Sequence, residues 1–451
     1  MLPEMQNYRK PHPSSAGTQT GVFHGLEVVE MKYLLSGAKV CTAKGIGLSD
    51  VLIDQGTIVD ISPVIPSEPD FTVLQFHNCV IFPGFVDVHV HLREPGFSYK
   101  ETIQSGTAAA ARGGYTAICS MPNLNPPPDS LPNLQIQLDL IGKSASIHVK
   151  PYGTITRGAN GRELADFAAM AKEVAAFSDD GRGVQCAHVM EAAMKEAKKW
   201  GKPIAAHCED ESLLGGGYIH DGGYAKQHGH RGIPSESEWK QLARDLDLVR
   251  KTGSAYHACH VSTKESVALL RNAKAEGLDV TAETAPHYLL LCDEDLEEDA
   301  RFKMNPPIRE KADQSALIEG LLDGTIDMIA TDHAPHTADE KSKGLKDSAM
   351  GVVGLETAFP LLYTNFVKTG QITLPQLIGR MHQNPMERFH LGTPLAPGQP
   401  ANLCVYDLEQ NVIIDPAVFL SQGRSTPFSG AHVWGVCKFT MSNGKIVWEE
   451  Q

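Results

Sequence analysis

Apolar and polar positions along this chain fall into three regimes. From Lys32 to Phe82 they form short runs, YLLSGAKV, LSDVLIDQGTIVDIS and TVLQFHNCVIFPG, with turn residues between them. That pattern predicts β-strands. It returns at the far end in NLCVYDLEQNVII and WGVCKFTMSNGKIVWEE, where β-branched residues flank an Asn-Gly turn. The two ends are therefore expected to build one small β-sandwich, residues 31–82 giving its N-terminal part and 393–451 its C-terminal part.

Between them, over 83–392, the rhythm becomes apolar strand, loop, helix, as in parallel βα units. Eight strands are expected, drawn from VDVHV, YTAICSMPN, IHVKPYGT, VAAFSDD, PIAAHCED, SAYHACHVS, DVTAET and IDMIATDHAPH. They end near His89, Asn123, Thr154, Asp180, His207, His260, Thr284 and Asp332. ELADFAAMAKEV, HVMEAAMKEAKKW and SEWKQLARDLDLVRK carry apolar residues three or four apart and read as helices between strands. The class is α/β, a TIM-like (β/α)8 barrel. A doubly wound open sheet shares the local pattern, but no Gly-x-Gly-x-x-Gly loop follows the first strand, and polar residues gather after the strand ends, where barrel sites sit.

Composition narrows the function. With 42% hydrophobic and 21% charged residues the chain reads as a soluble globular protein, and a net charge of −14 disfavours binding to nucleic acid or anionic membrane. An anionic substrate then needs a local basic group. Nine cysteines, with no C-x-x-C pair, argue against a disulfide framework and fit a reducing cytoplasm. No eighteen-residue apolar run is present, so no membrane span is expected. Residues 1–30 are polar, with Pro, Ser and Gly, and read as an extension without order ahead of Met31.

The candidate chemistry begins at PGFVDVHVHLREPG. His89 and His91 are two apart on a strand, so both imidazoles reach one face and can grip one metal ion. Asp180, His207, His260 and Asp332 supply further ligand types at other strand ends. Spacing leaves three choices open: Asp179 against Asp180, His257 against His260, and His333 against Asp332. Arg93 lies two residues beyond His91, where its planar fork can meet a carboxylate beside the metal. Asn123 and Asn305 sit near proline-rich turns that expose an amide able to donate and accept.

HVHLREPG, SMPN, FSDDG, AHCED, CHVST, ETAPHY, MNPPIR, ATDHAPH and GLETAFPLL follow one another in the order that resembles the dihydroorotases of the amidohydrolase superfamily, in the class whose metals are bridged by an aspartate. The resemblance spans about Met31 to Lys445. It implies two zinc ions, with His89, His91 and Asp332 at one, His207 and His260 at the other, and Asp180 bridging. It also implies that Arg93, Asn123 and His336 hold the substrate carboxylate, that Asn305 and the backbone at Met350-Gly351 contact the ring or ureido group, and that His91 also borders the substrate. Lys341 to Gly351 reads as a mobile lid.

The implied activity is reversible hydrolysis of (S)-dihydroorotate to N-carbamoyl-L-aspartate in pyrimidine synthesis, with Asp332 as the catalytic proton carrier. The implied assemblies are a homodimer or an association with aspartate transcarbamoylase. Two rivals differ in chemistry. An allantoinase or dihydropyrimidinase would bridge its metals with a carboxylated lysine, for which Lys150 is the candidate. A silent partner of aspartate transcarbamoylase would have lost ligands that are all present here.

Overall fold

A computed structural model of the chain describes residues 32–43 and 45–450; the extension expected over residues 1–30 lies outside the described residues, as does Met31. Parallel pairing runs in chain order through the middle of the molecule. Phe85–Val90 pairs with Tyr115–Ser120, and that strand with His148–Pro151. Gly153 then bridges to Phe177 and Phe177 to Ile204. Ile204–Ala206, Tyr256–Ala258, Val280–Thr284 and Met328–Ile329 continue the series. Finally His333 bridges in parallel to Val90, so the pairing comes back to the strand where it began. Because every segment runs the same way, their C-terminal ends share one rim.

Helices Ile103–Arg112, Leu131–Ser144, Ala187–Lys199, Glu236–Thr252, Lys264–Ala275 and Lys311–Asp323 lie between consecutive strands. Ala187–Lys199 shows why: Met190, Ala193, Met194 and Ala197 are its buried positions, one stripe at helical spacing. Inside the strands the core includes many small residues, Val86, Val88, Ala117, Cys119, Ala176, Ala205, Cys259 and Ala330, with Tyr152, Met328 and Phe389 among the larger ones. Small side chains suit a space where strands from all sides converge.

Two expectations fail locally. ELADFAAMAKEV forms only the single turn Phe167–Met170, capped by Asp166 on the amide of Ala169. The helical spacing is still used, since Phe167, Met170, Ala171 and Val174 are all buried, but Ala175 must already be extended to donate to the carbonyl of Pro151 at 2.8 Å. The fourth strand, expected from VAAFSDD, is reduced to the two bridges of Phe177.

The chain ends form two sheets. One, in the order Thr57–Ser62, Asp50–Asp54, Lys32–Ser36, Phe71–Gln75, comes from the N-terminal side alone. The other interleaves both ends: Lys445–Glu449, His432–Ser442, Leu403–Ile413, Cys79–Pro83, Lys39–Thr42, Gly45–Leu48. Leu35, Val51, Ile53, Ile81, Leu403, Val405, Phe439 and Met441 fill the space between them. Two hairpin tips meet there. Asn443 and Gly444 both have positive φ, as a two-residue hairpin turn requires, and so do Gln55 and Gly56. A Cβ on Gly444 would stand 2.1 Å from the Cα of Gly56, so the tips cross only because both are glycine.

Candidate active site

The first strand delivers its histidines through a fixed backbone. Asp87 accepts from the amides of His89 at 2.9 Å and Thr331 at 3.0 Å, tying the first strand to the segment that carries Asp332. The amide of His91 donates to the carbonyl of His333 at 2.9 Å. Further along, Thr263 caps helix Lys264–Ala275 through the amide of Ser266, so the chain leaves the rim three residues after His260.

Six side chains converge at the rim. Asp180 is the centre: its Oδ1 lies 3.3 Å from His89 Nε2, 3.6 Å from His207 Nδ1 and 3.6 Å from His260 Nε2, and its Oδ2 lies 3.6 Å from His91 Nε2. Asp332 Oδ1 is 3.1 Å from His91 Nε2 and 3.6 Å from His89 Nε2. Two sets lie close enough to share an ion, His89 with His91 and Asp332, and His89 with Asp180 and His260. All six are buried.

Their electrostatics favour added positive charge. Burial works against the Asp180 carboxylate, yet His89, His207 and His260 hold it well below the usual carboxylate range. Burial also disfavours charge on His207, but Asp180 and Glu209 raise it to about 10. Carboxylates this deep must be matched by cations, either protons on the rings or a metal in their place. His89 Nε2, Asp180 Oδ1 and His207 Nε2 have no hydrogen-bond partner among the described residues, although all three are buried. Imidazole nitrogen and carboxylate oxygen are a donor set suited to zinc. The residues fit a metal.

The three open choices close here. Asp179 turns away and accepts from the amides of Ile155 at 2.8 Å and Thr156 at 3.0 Å. His257 turns below the rim, between Thr281 Oγ1 at 2.9 Å and Glu283 Oε2 at 3.0 Å. His333 accepts from the amide of Gly354 at 3.2 Å and faces Glu101. Lys150 donates to the carbonyl of Lys172 and does not line the cleft.

Beside the cluster is a cleft of about 240 Å³ that brings together His91, Arg93, Asn123, Asn305, His336, Met350 and Gly351, all seven residues expected at the substrate. Arg93 is buried, with positive φ, and its Nε donates to the carbonyl of Pro335 at 3.2 Å. Burial, with the charges of Arg93 and Lys100, pushes His336 down to about 3, so the ring is neutral. Its Nε2 is 2.8 Å from the carbonyl of Met350 and its Nδ1 is 3.3 Å from Lys100 Nζ. Each ring nitrogen thus faces one acceptor and one donor: Nε2 the Met350 carbonyl and Arg93 Nη2, Nδ1 the Glu340 Oε2 at 3.3 Å and Lys100 Nζ. Arg93 Nη2 lies 3.2 Å from that Nε2, so the guanidinium and the imidazole stand side by side at the cleft.

Other partners orient the amides. Asn123 Oδ1 accepts from His91 Nδ1 at 2.9 Å, leaving its amide nitrogen toward the cleft. Asn305 Nδ2 donates to Glu209 Oε1 at 2.9 Å, leaving its oxygen. Sequence reasoning missed several residues of this surround. Glu283 lies 2.6 Å from His89 Nδ1, and Glu209 Oε2 lies 3.5 Å from His207 Nε2. Both stand in motifs already singled out, ETAPHY and AHCED. The available signal for Glu283 was a carboxylate inside the otherwise uncharged strand Val280–Thr284, whereas Glu209 follows its strand beside Asp210 and had no such mark.

The loop read as a mobile lid is tied down in this structure. Lys341 Nζ donates to the carbonyls of Lys303 at 3.0 Å, Ala349 at 2.9 Å and Gly351 at 2.8 Å.

Comparison with known proteins agrees with this geometry. A family model described as dihydro-orotase-like matches residues 78–266. The dihydroorotase of Bacillus caldolyticus is 51% identical over 403 residues, 89% of this chain and 94% of its own. That of Halalkalibacterium halodurans is 49% identical over 425 residues, covering 93% and 99%. Among solved structures, the L-hydantoinase (dihydropyrimidinase) of Arthrobacter aurescens superposes with a TM-score of 0.82 at 25% identity, covering 92% of this chain and 96% of its own. The dihydropyrimidinase of Brevibacillus agri gives 0.80 at 21%, covering 93% and 95%, a likeness of fold. A metal-ligating cluster, an arginine-lined cleft and half-identical relatives along nearly their whole length lead to one conclusion: this chain belongs to the dihydroorotase family.

Proposed function

We propose that this chain interconverts (S)-dihydroorotate and N-carbamoyl-L-aspartate, the cyclic amide step of de novo pyrimidine synthesis, as a zinc-dependent hydrolase. In this reading the eight parallel segments close a (β/α)8 barrel over 83–392, and residues 31–82 and 393–451 form its β-sandwich. His89, His91 and Asp332 would hold one zinc ion and His207 and His260 a second, with Asp180 as the carboxylate between them. Zinc bound there supplies a Lewis acid for the amide carbonyl and brings the pKa of water down to about 7.

The chain's own residues supply binding and proton transfer. Arg93 grips the substrate carboxylate with its guanidinium hydrogens, and the Asn123 amide nitrogen donates beside it. His336, beside Arg93, meets the same carboxylate. Asn305, through its oxygen, and the Met350-Gly351 backbone face the ring amide and ureido atoms. Asp332 accepts the nucleophile's proton and delivers it to the ring nitrogen as the C–N bond breaks.

The observation that carries this reading is the Arg93 fork beside the His/Asp cluster in one cleft. A second reading, hydrolysis of an uncharged cyclic ureide, draws on the likeness to hydantoinases. Arg93 speaks against it, because hydantoin and dihydrouracil have no carboxylate to meet that fork. A cytoplasmic location belongs to the proposal, supported by nine unpaired cysteines, eight of them buried, and by the lack of any described helix long and apolar enough to cross a membrane. A homodimer or a complex with aspartate transcarbamoylase is the assembly this reading accommodates.

The test is to purify the protein, measure its zinc, and assay dihydroorotate hydrolysis before and after chelation. About two zinc ions per chain and activity that chelation abolishes and zinc restores are expected. Turnover of dihydrouracil but not dihydroorotate overturns the substrate, and full activity without metal overturns the cofactor.

A further inference from the structure

Three backbone carbonyls, those of Lys303, Ala349 and Gly351, point at a single ammonium, that of Lys341. Carbonyl oxygens brought this close repel one another unless a cation lies between them. An ammonium has three N–H groups and accepts nothing, so here every donor is used. Two chain segments are joined in this way. Lys303 stands two residues before Asn305, and Ala349 and Gly351 flank Met350. Other bonds cross the same gap: the amide of Gly351 donates to the carbonyl of Lys303 at 3.0 Å, and Lys303 Nζ donates to the carbonyl of Lys346 at 2.7 Å.

The clamped backbone has little slack on its far side. Gly351 has φ +139°, and a Cβ there would stand 2.6 Å from the carbonyl oxygen of Ala334. Met350 is packed as well, its carbonyl lying 2.8 Å from His336 Nε2. A shift at Lys341 therefore reaches Met350, His336 and Asn305 together.

We propose that Lys341 is a positioning residue for the substrate: it holds the Met350-Gly351 backbone and the Asn305 segment at a fixed separation, so that both meet the bound ring at once. This rests on the reading of those residues as substrate contacts. Its lysine is consumed by internal carbonyls and touches no substrate itself, so its effect falls on binding rather than on the metal cluster.

The test compares full-length, metal-replete wild type with Lys341→Met, Lys341→Gln and Lys341→Arg, reading KM, kcat, zinc content and hydrogen exchange of the Gly351 amide. Loss of a half-buried charged donor to three carbonyls is expected to raise KM about tenfold or more in Lys341→Met, with kcat and zinc little changed. Exchange at Gly351 should accelerate in the same variant, and Lys341→Arg, which keeps the charge, should recover part of the KM. Lys341→Gln keeps amide donors and serves as the second variant should the methionine form fail to fold. Wild-type KM in a folded Met or Gln variant overturns the proposal, as does unchanged Gly351 exchange. If wild type fails to act on dihydroorotate, the functional reading falls, and the exchange measurement, made without substrate, still decides the clamp.

Discussion

Glu283 Oε1 lies 2.6 Å from His89 Nδ1, and its second oxygen lies 3.0 Å from His257 Nε2, at the buried floor beneath the cluster. Oε1 also accepts from the amide of His260 at 3.2 Å. One carboxylate thus orients the rings or backbone of three histidines. Burial disfavours its charge, but His89 and His257 hold it far below the usual carboxylate range. A carboxylate on the far nitrogen of a metal-ligating imidazole fixes its tautomer and raises its basicity. Glu283→Gln should therefore weaken zinc retention about 10- to 100-fold, as measured by competition with a chelator of known affinity. Unaltered retention in the folded variant would remove Glu283 from the metal site's support.

Arg93 should govern substrate binding. Arg93→Met keeps the bulk of the stem and removes a buried fork, and KM for dihydroorotate is expected to rise about 30-fold or more with a smaller change in kcat. Steady-state kinetics decide, and an unchanged KM ends the assignment of the carboxylate to this residue.

Asp332 should govern turnover. Its carboxylate is buried, and although burial raises its pKa, His91 and His89 bring it below the ordinary aspartate value, which keeps it ready to accept a proton. Asp332→Ala is expected to lower kcat by about 10³-fold or more while circular dichroism shows the fold retained. Activity near wild type with full zinc would assign the proton transfer elsewhere.

Lys341 gives a pH dependence with a definite sign. Burial and the neighbouring charge of Lys303 bring it down to about 7, with Asp299 opposing. Below that pH the ammonium serves all three carbonyls; above it the amine has two N–H groups for three acceptors. KM should therefore climb as pH rises through 7, and the climb should flatten in Lys341→Arg, whose guanidinium stays charged. Stability moves the other way. The unfolded chain keeps this proton up to the ordinary lysine value of 10.5, so folding releases it between about 7 and 10.5 and this group's contribution to stability rises with pH there. Parallel KM profiles for wild type and Lys341→Arg would refute the assignment.

Much of the site is legible in the sequence because ligand residue types recur after apolar runs, and parallel strands must place those ends on one rim. His89, His91 and Arg93 could be read together from five consecutive residues. The β-sheet partnership of the two chain ends was legible too, through alternation and the Asn443-Gly444 turn. What alternation could not decide is which of two neighbouring residues faces inward. The backbone leaves the extended region at these strand ends: Arg93, His260 and Asp332 have φ of 63°, 33° and 48°. Period-two reasoning fails where the chain turns, so spacing left Asp179, His257 and His333 open where the resemblance already pointed to Asp180, His260 and Asp332, and the tertiary structure brings those three together.

The rest depended on contacts between residues far apart in the chain. Glu283 reaches His89 across 194 positions, and Asn123 reaches His91 across 32. Lys341 acts on carbonyls, which every residue carries, so nothing in its sequence neighbourhood marks the clamp. The short helix Phe167–Met170 and the single bridging residue Phe177 show the same limit, because the pairing of Ala175 with Pro151 overrode a helical pattern. The sequence by itself determined which chemistry the molecule carries and roughly where on the fold it sits. Only the tertiary structure decided which atoms meet in the buried cluster and which line the cleft, because side-chain direction at a turning backbone, and partners brought together by folding, are not local properties.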